Sequence, residues 1–423
     1  MMTAKRALLL LVITAFAVMS GAWFTCAWDD LGDGIGLQAP HPSTIITNWT
    51  PRWSPDGQYV VVNLYRDWST PGVYTASAAG DHLQRVFVEP DGVQISPRVF
   101  PDGRIIYIDY AYKPRTGFVR KGSGPHHWTI GMSDLDETPL PPISIPSARP
   151  DNTVDVFHPQ LWPGTGRVVA MIHQWRRDAM TGIHEVTPEG DLHFRDVIEG
   201  QVDPWGDFEI SPDGLYVAYF QAHLDEEGSW IGIYPTVSPM NGTKDVLQGP
   251  YIADKNLDGR STLIESSGFS WSADSRRVFF STWHRGTACT YTSRVWSMNM
   301  NNSKVEMLTG TAAAGQVFSV APSPDGERLA LVTEGCDNHA PYRIWSDGES
   351  RGLISACCTG KQVIYGVRFQ DAARLSWSPD GSRIAVLEDS GRPGEVLRTV
   401  NPDGSDVRAL IRRNADGSLA PGR

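Results

Sequence analysis

Trp53-Ser54-Pro55-Asp56-Gly57 and Trp377-Ser378-Pro379-Asp380-Gly381 are the same five residues, near opposite ends of a 423-residue chain. The tract reads as the end of one short strand, a tight turn and the start of the next. Pro fixes φ near the value that a turn's first central position needs, Asp can bond the backbone ahead of it, and Gly accepts a positive φ. Eroded copies lie between the two: Pro101-Asp102-Gly103, Pro163-Gly164-Thr165-Gly166, Pro212-Asp213-Gly214, Ala273-Asp274-Ser275 and Pro324-Asp325-Gly326. The chain is therefore a repeat protein.

After each turn comes an apolar run, such as Tyr59-Val60-Val61-Val62, Arg277-Val278-Phe279-Phe280 or Arg383-Ile384-Ala385-Val386. Runs this continuous belong to strands covered on both faces, which happens when sheets stack on one another. A second turn follows in each unit, clearest at Pro188-Glu189-Gly190, Met240-Asn241-Gly242, Ser346-Asp347-Gly348 and Pro402-Asp403-Gly404. Four strands per unit and seven units predict an all-β fold, a seven-bladed β-propeller of four-stranded antiparallel blades over residues 43–412. The first and last units each own four strands, so no strand exchanged between the ends is expected. Residues 413–423 read as a polar, flexible tail.

Composition agrees with many turns and little helix: 41% of residues are hydrophobic, with 41 Gly and 30 Pro. The net charge of -11 argues against a nucleic-acid surface, which needs a basic stripe. Lys5 and Arg6 precede an uncharged stretch from Ala7 to Trp28, with small residues at Ser20 and Ala22 or at Thr25 and Ala27. This matches an export signal over residues 1–27, the rival reading being a single membrane-spanning anchor. Residues 28–42 then form a linker. Either way the body is expected outside the cytoplasm, periplasmic or extracellular, with membrane contact only through an uncleaved N-terminal segment.

Cleavage after Ala27 would leave four cysteines, Cys289, Cys336, Cys357 and Cys358, as disulfide candidates. Two connectivities join Cys289 and Cys336 each to one of the adjacent pair, and free buried thiols are the alternative.

The Trp-Ser-Pro-Asp-Gly tract, a short Ile/Val/Ala/Phe strand and a later strand ending in Asp-Gly resemble the WD-like repeat of TolB-type propellers. That repeat also builds the propellers of prolyl-oligopeptidase-type peptidases and oligogalacturonate lyases. The resemblance covers nearly all of the mature chain. It implies the fold and leaves function open, since one scaffold hosts many chemistries.

With strands lettered A to D, the Pro-Asp-Gly turns join A to B on one rim, and the B-to-C and D-to-A connections occupy the other. The second rim carries residues that do not repeat: Arg66-Asp67-Trp68, His126-His127-Trp128, His173-Gln174-Trp175-Arg176-Arg177, His223, Trp283-His284-Arg285 and Cys336-Asp337-Asn338-His339, with His158 in the third unit's A strand. Flat faces at Trp68, Trp175 and Trp283 suit sugar rings, and the forks of Arg176 and Arg285 suit carboxylates. These residues, with His158 and His339, are the expected ligand contacts, and a small molecule, a carbohydrate or a protein is the expected partner of a monomer.

Resemblance to the oligogalacturonate lyases implies an alternative, a metal-dependent lyase or hydrolase of acidic carbohydrate. His173, His223 and His284 would then hold a divalent metal or act as acid and base. The plain alternative is that these His and Trp pack between blades.

Asp254-Lys255-Asn256-Leu257-Asp258-Gly259 with Glu265 fits the oxygen-ligand spacing of a calcium loop, so Asp254, Asn256, Asp258 and Glu265 are expected calcium ligands. A solvated Asp/Asn turn is the competing reading. No His-Glu-x-x-His helix or Lys-bearing phosphate loop occurs.

Overall fold

The computed structural model describes residues 50–64, 72–86, 92–100, 103–111, 128–133, 139–145, 154–174, 182–187, 192–194, 202, 208–224, 230–240, 247–249, 252–253, 264–285, 291–308, 317–326, 328–333, 343–346, 349–352, 354–357, 374–387 and 393–423. Every regular element among them is a β-strand. Among the described residues, seven sheets of three to five strands follow the chain, opened in turn by Arg52–Trp53, Gly92–Val99, Val154–Trp162, Glu209–Ile210, Ile264–Trp271, Val317–Pro322 and Arg374–Trp377, and an eighth, two-stranded sheet lies within the sixth unit. These opening strands are the A strands. Each forms one edge of its sheet, and in the first, second, third and fifth sheets four antiparallel strands follow in chain order.

The repeated turn explains its own composition. Ser54 Oγ donates to Asp56 Oδ1 at 2.6 Å and accepts from Tyr59 N at 2.9 Å, while Asp56 Oδ1 also accepts from Gln58 N at 3.0 Å. Gly57 N–H closes the turn onto Ser54 O at 2.9 Å with φ of 70°. The same serine bonds recur at Ser211, Ser272, Ser323 and Ser378. No polar group inside the turn is left for the core to bury unpaired.

Between the turns, the apolar runs are buried on both faces. Val60, Val62 and Leu64 of the first sheet pack with Ala385, Leu387, Leu397 and Ile411 of the seventh. On the other face, Val61 and Val73 pack with Ile105 and Tyr107 of the second sheet. Val169 and Met171 meet Val217 and Tyr219 between the third and fourth sheets. Phe220 meets Phe269 and Phe280 between the fourth and fifth, and Phe279 meets Val320 and Leu331 between the fifth and sixth. Each fully buried Val, Leu or Phe contributes roughly 1.5–3 kcal/mol. The A strands neighbour one another in sequence order, and Arg374–Trp377 neighbours Arg52–Trp53.

Three features differ from the sequence reading. Residues 413–423 are not a loose tail: Leu419–Pro421 pairs antiparallel with Arg408–Arg413 as a fifth strand of the seventh sheet, and Arg423 N–H donates to Gly80 O of the first sheet at 2.9 Å. The cause is a second copy of a turn. Asn414 N–H bonds Ser418 O as Asn401 N–H bonds Ser405 O, with Gly417 and Gly404 at φ of 85° and 83°.

The sixth sheet is not four antiparallel strands. Ile354–Cys357 runs parallel to Leu329–Thr333, while Arg343–Ser346 and Glu349–Gly352 form a separate hairpin. The sequence carries Asp-Gly between those two strands, a favoured pair for a two-residue hairpin connection. The fourth sheet gains Ile252–Ala253, which pairs with Trp230–Pro239 beside Leu247–Gln248.

Candidate functional site

One position in each A strand, the residue before the turn's Trp position, is equivalent in all seven sheets by its pairing with the second strand. It is Arg52 opposite Val61, Arg98 opposite Ile106, Gln160 opposite Val169, Glu209 opposite Ala218, Ser270 opposite Phe279, Ala321 opposite Ala330 and Ser376 opposite Ala385. The first four are long and polar or charged; the last three are small.

Side chains from different sheets meet at this level. Arg98 Nη2 lies 2.9 Å from Glu209 Oε2, and Arg52 Nη2 lies 3.5 Å from the same oxygen. The pair is largely withdrawn from water: the side chains of Arg98, Glu209 and Arg52 are 6%, 16% and 25% exposed. Gln160 Nε2 donates to Phe208 O at 2.5 Å, and its Oε1 accepts from Ile210 N at 3.1 Å. Removing one member of so buried a charge pair costs more than keeping both is worth.

Indoles hold this register in place. Trp53 Nε1–H donates to Ser376 O at 3.2 Å, Trp271 Nε1–H to Glu209 O at 3.0 Å and Trp377 Nε1–H to Ala321 O at 3.0 Å. Each bond runs from one sheet to the preceding one, or from the first to the seventh, and ends on the carbonyl of the equivalent position. The repeat's Trp thus anchors its neighbour's variable residue.

The A strands break register in the second, third, fifth and sixth sheets. In two of them the break falls on a positive φ two residues before the variable position, 50° at His158 and 77° at Gly268. Such bulges re-aim side chains and concentrate beside functional sites. His158, an expected ligand contact, is 3% exposed at this bulge, buried within the A strand.

The other expected residues are placed by backbone alone or lie outside the described residues. His173, His223 and His284 each occupy the penultimate position of the second strand, in three consecutive sheets: Arg167–Gln174, Tyr216–Leu224 and Arg277–Arg285. Trp283 and Arg285 flank His284 in the same strand. Glu265 lies in Ile264–Trp271 and Cys357 in Ile354–Cys357. Trp68, Trp175, Arg176, His339, Asp254, Asn256, Asp258, Cys289, Cys336 and Cys358 fall outside the described residues, as does the export segment. Among the described residues, no group of three or more His, Cys, Asp and Glu could hold a metal ion, and no helix is long and apolar enough to cross a membrane.

Sequence reading missed Arg52, Arg98, Gln160 and Glu209. The signal was available: aligning the seven turns and stepping back past the Trp position reads Arg, Arg, Gln, Glu, Ser, Ala, Ser. It also missed His184, whose burial in the third sheet lowers its pKa from 6.5 to about 4.

No protein family model matches the chain, and no curated protein matches it by sequence. Solved structures do. Hydrazine synthase from Kuenenia stuttgartiensis aligns over 88% of this chain and 99% of its own, at 11% identity and a TM-score of 0.53. The GH74 enzyme of Niastella koreensis aligns over 85% of this chain and 53% of its own, at 11% identity and a TM-score of 0.50. These likenesses concern fold alone. The fold is of the β-propeller kind. TolB from Acinetobacter baumannii also matches, over 66% of this chain and 58% of its own at 16% identity, with a TM-score of 0.36 that carries no argument.

Proposed function

We propose that the chain is an exported, TolB-like propeller, closed as seven blades, that acts as a binding module. It takes a small molecule, a carbohydrate or a protein on the rim of the B-to-C and D-to-A connections. The supporting observation is the contrast between the rims. On the A-to-B rim, turn groups bond one another and touch the next turn, as where Asp213 N–H donates to Ser275 Oγ at 3.0 Å. That rim repeats and is occupied with its own architecture; the other carries the residues that differ from sheet to sheet.

The test is a glycan and uronate-oligomer binding screen on wild type, on Trp68→Ala, Trp175→Ala and Trp283→Ala, and on Leu215→Ser at the exposed A-to-B turn. Binding weakened by the Trp substitutions and untouched by Leu215→Ser supports the reading. A ligand whose binding depends on Leu215 alone overturns it.

The shared penultimate position of His173, His223 and His284 favours a second reading, a metal-dependent lyase or hydrolase of acidic carbohydrate. Metal analysis decides it. A stoichiometric divalent ion lost in His223→Ala, together with new product from uronate oligomers, supports the enzyme; metal-free protein without turnover rejects it. Separately, a calcium ion held by Asp254, Asn256, Asp258 and Glu265 would make the melting temperature fall on chelation. Asp258→Ala would abolish that difference, and no shift on chelation would reject the site.

A further inference from the structure

Successive sheets are tied together by the chain that runs from one to the next, but the first and seventh stand at opposite ends of it. Their seam has no such connection. We propose that residues 419–423 are a latch that takes its place, a conformational device that acts whatever the rim binds. Release of the latch opens the seam between the first and seventh sheets and leaves the other sheets joined.

Leu419–Pro421 pairs with Arg408–Arg413, and the ladder runs on as Gly422 N–H donates to Leu410 O at 3.0 Å. One residue later the chain changes partner. Arg423 N–H donates to Gly80 O at 2.9 Å, in the turn between Gly72–Ser77 and Leu83–Arg85 of the first sheet. Two consecutive amides are thus bonded to two different sheets. Leu419 packs on the cluster that fills the seam, where Val60, Val62 and Leu64 meet Leu387, Leu397 and Ile411, and Ala78 and Leu83, either side of Gly80, pack on the same cluster.

Two glycines record how closely the parts approach. A Cβ on Gly80 would lie 2.5 Å from Ala409 O, and one on Gly422 would overlap the same oxygen. The turn of the first sheet and the latch therefore close on one carbonyl of the seventh sheet, an approach that glycine permits and a side chain would block. The latch is also stiff at its root. Asn414 Nδ2 donates to Ser418 Oγ at 2.9 Å, Ser418 Oγ donates to Asp416 Oδ1 at 2.6 Å, and Arg413 Nη1 donates to Gly417 O at 3.3 Å. A hairpin so fixed brings residues 419–423 to the seam in one register, with little further entropy to lose. The seam is fastened at its inner strands by the Trp53 indole on Ser376 O and at its outer strands by the latch.

The test is amide hydrogen exchange, read by mass spectrometry on the full chain and its variants. Peptides over residues 60–64 and 410–411 report on the seam, and peptides over residues 278–281 report on the fifth sheet. Ending the chain after Ser418 should speed exchange at the seam by about tenfold or more and leave the fifth sheet within about twofold of wild type. Arg423→Pro removes the N–H and keeps the backbone, and should speed exchange at the seam by roughly three- to tenfold, the loss of one hydrogen bond. Arg423→Ala keeps the N–H and removes only an exposed charge, so it should behave as wild type. Gly422→Val, whose side chain must displace Ala409 O, should match the shortened chain.

Exchange that speeds equally at the seam and in the fifth sheet would make residues 419–423 a general stabiliser and overturn the latch. Seam exchange unchanged in the folded variants would overturn it too, as would Arg423→Ala and Arg423→Pro behaving alike. Near-UV circular dichroism shows whether each variant folds; if the shortened chain and Gly422→Val do not, Arg423→Pro against Arg423→Ala decides alone.

Discussion

At Trp377-Ser378-Pro379-Asp380-Gly381 the polar groups satisfy one another and the indole reaches the preceding sheet, whereas Ser376, one residue earlier, keeps a buried hydroxyl with no hydrogen bond. The first sheet repeats the contrast: Ser54 and Asp56 close on each other, while Arg52 reaches out of its own sheet to Glu209 of the fourth. Residues that make a blade are saturated within the turn or by the adjoining blade. Those that could make a site begin at the first position where this saturation stops. Regularity in this chain reports on architecture, and the departures from it report on chemistry.

Substitutions on the turn side should be felt as stability. Trp377→Ala is expected to cost most, about 3–5 kcal/mol in chemical denaturation, because it empties a buried site beneath the Arg328 guanidinium and breaks the bond to Ala321 O. A loss under 1 kcal/mol would show that the indole is not what joins the sheets.

Acidification separates turn from interior without mutation. Asp56 is held below its usual 3.8 by the Ser54 hydroxyl and the Gln58 N–H, and Asp380 by Ser378 and Ser382, so what these carboxylates contribute is lost only as pH falls through those lowered values. His184 works the opposite way. It is buried neutral with a folded pKa of about 4, so its contribution is complete above about 6.5 and is lost as pH drops toward 4. The loss at pH 4 is on the order of 3 kcal/mol, and urea titrations at pH 7 and pH 4.5 should show less of the decline in His184→Leu. An equal decline in both proteins would move the acid lability elsewhere.

Ser211→Ala should cost about 1–3 kcal/mol, since Ser211 is fully buried and its loss strands the Tyr216 N–H and removes a bond to Asp213. Ser275→Gly is the smallest effect. Gly would relieve roughly 1–2 kcal/mol at φ of 60° but would remove the acceptor of Asp213 N–H, for a net change within about 0.5 kcal/mol. Ser275→Ala, which keeps the strain and loses the bond, should be about 1 kcal/mol worse than wild type. If Ser275→Gly stabilises by a full kcal/mol, the hydroxyl contributes nothing across the rim.

Most of the fold was legible because turn chemistry is local: Pro, Asp and Gly act within four residues, and the pattern survives even where Ser275 replaces Gly. The end of the chain was misread because Asn414-Ala415-Asp416-Gly417-Ser418 looks like a polar tail until it is laid over Asn401-Pro402-Asp403-Gly404-Ser405. The sixth sheet resisted for a different reason. A strand such as Ile354–Cys357 does not say in its own residues whether its partner runs parallel or antiparallel. The Arg52, Arg98 and Glu209 cluster was the least legible, because nothing in sequence brings together residues from three sheets except the register that the turns impose.

The bond from Trp53 to Ser376 joins residues 323 apart in sequence. During synthesis the first sheet therefore emerges with Val60, Val62 and Leu64 uncovered on one face, and their cover from Leu387, Leu397 and Ile411 is translated last. Each later sheet can add to the one before it, but that first apolar face must wait for nearly the whole chain. It is the surface on which premature association would start, and the step that should set the pace of folding.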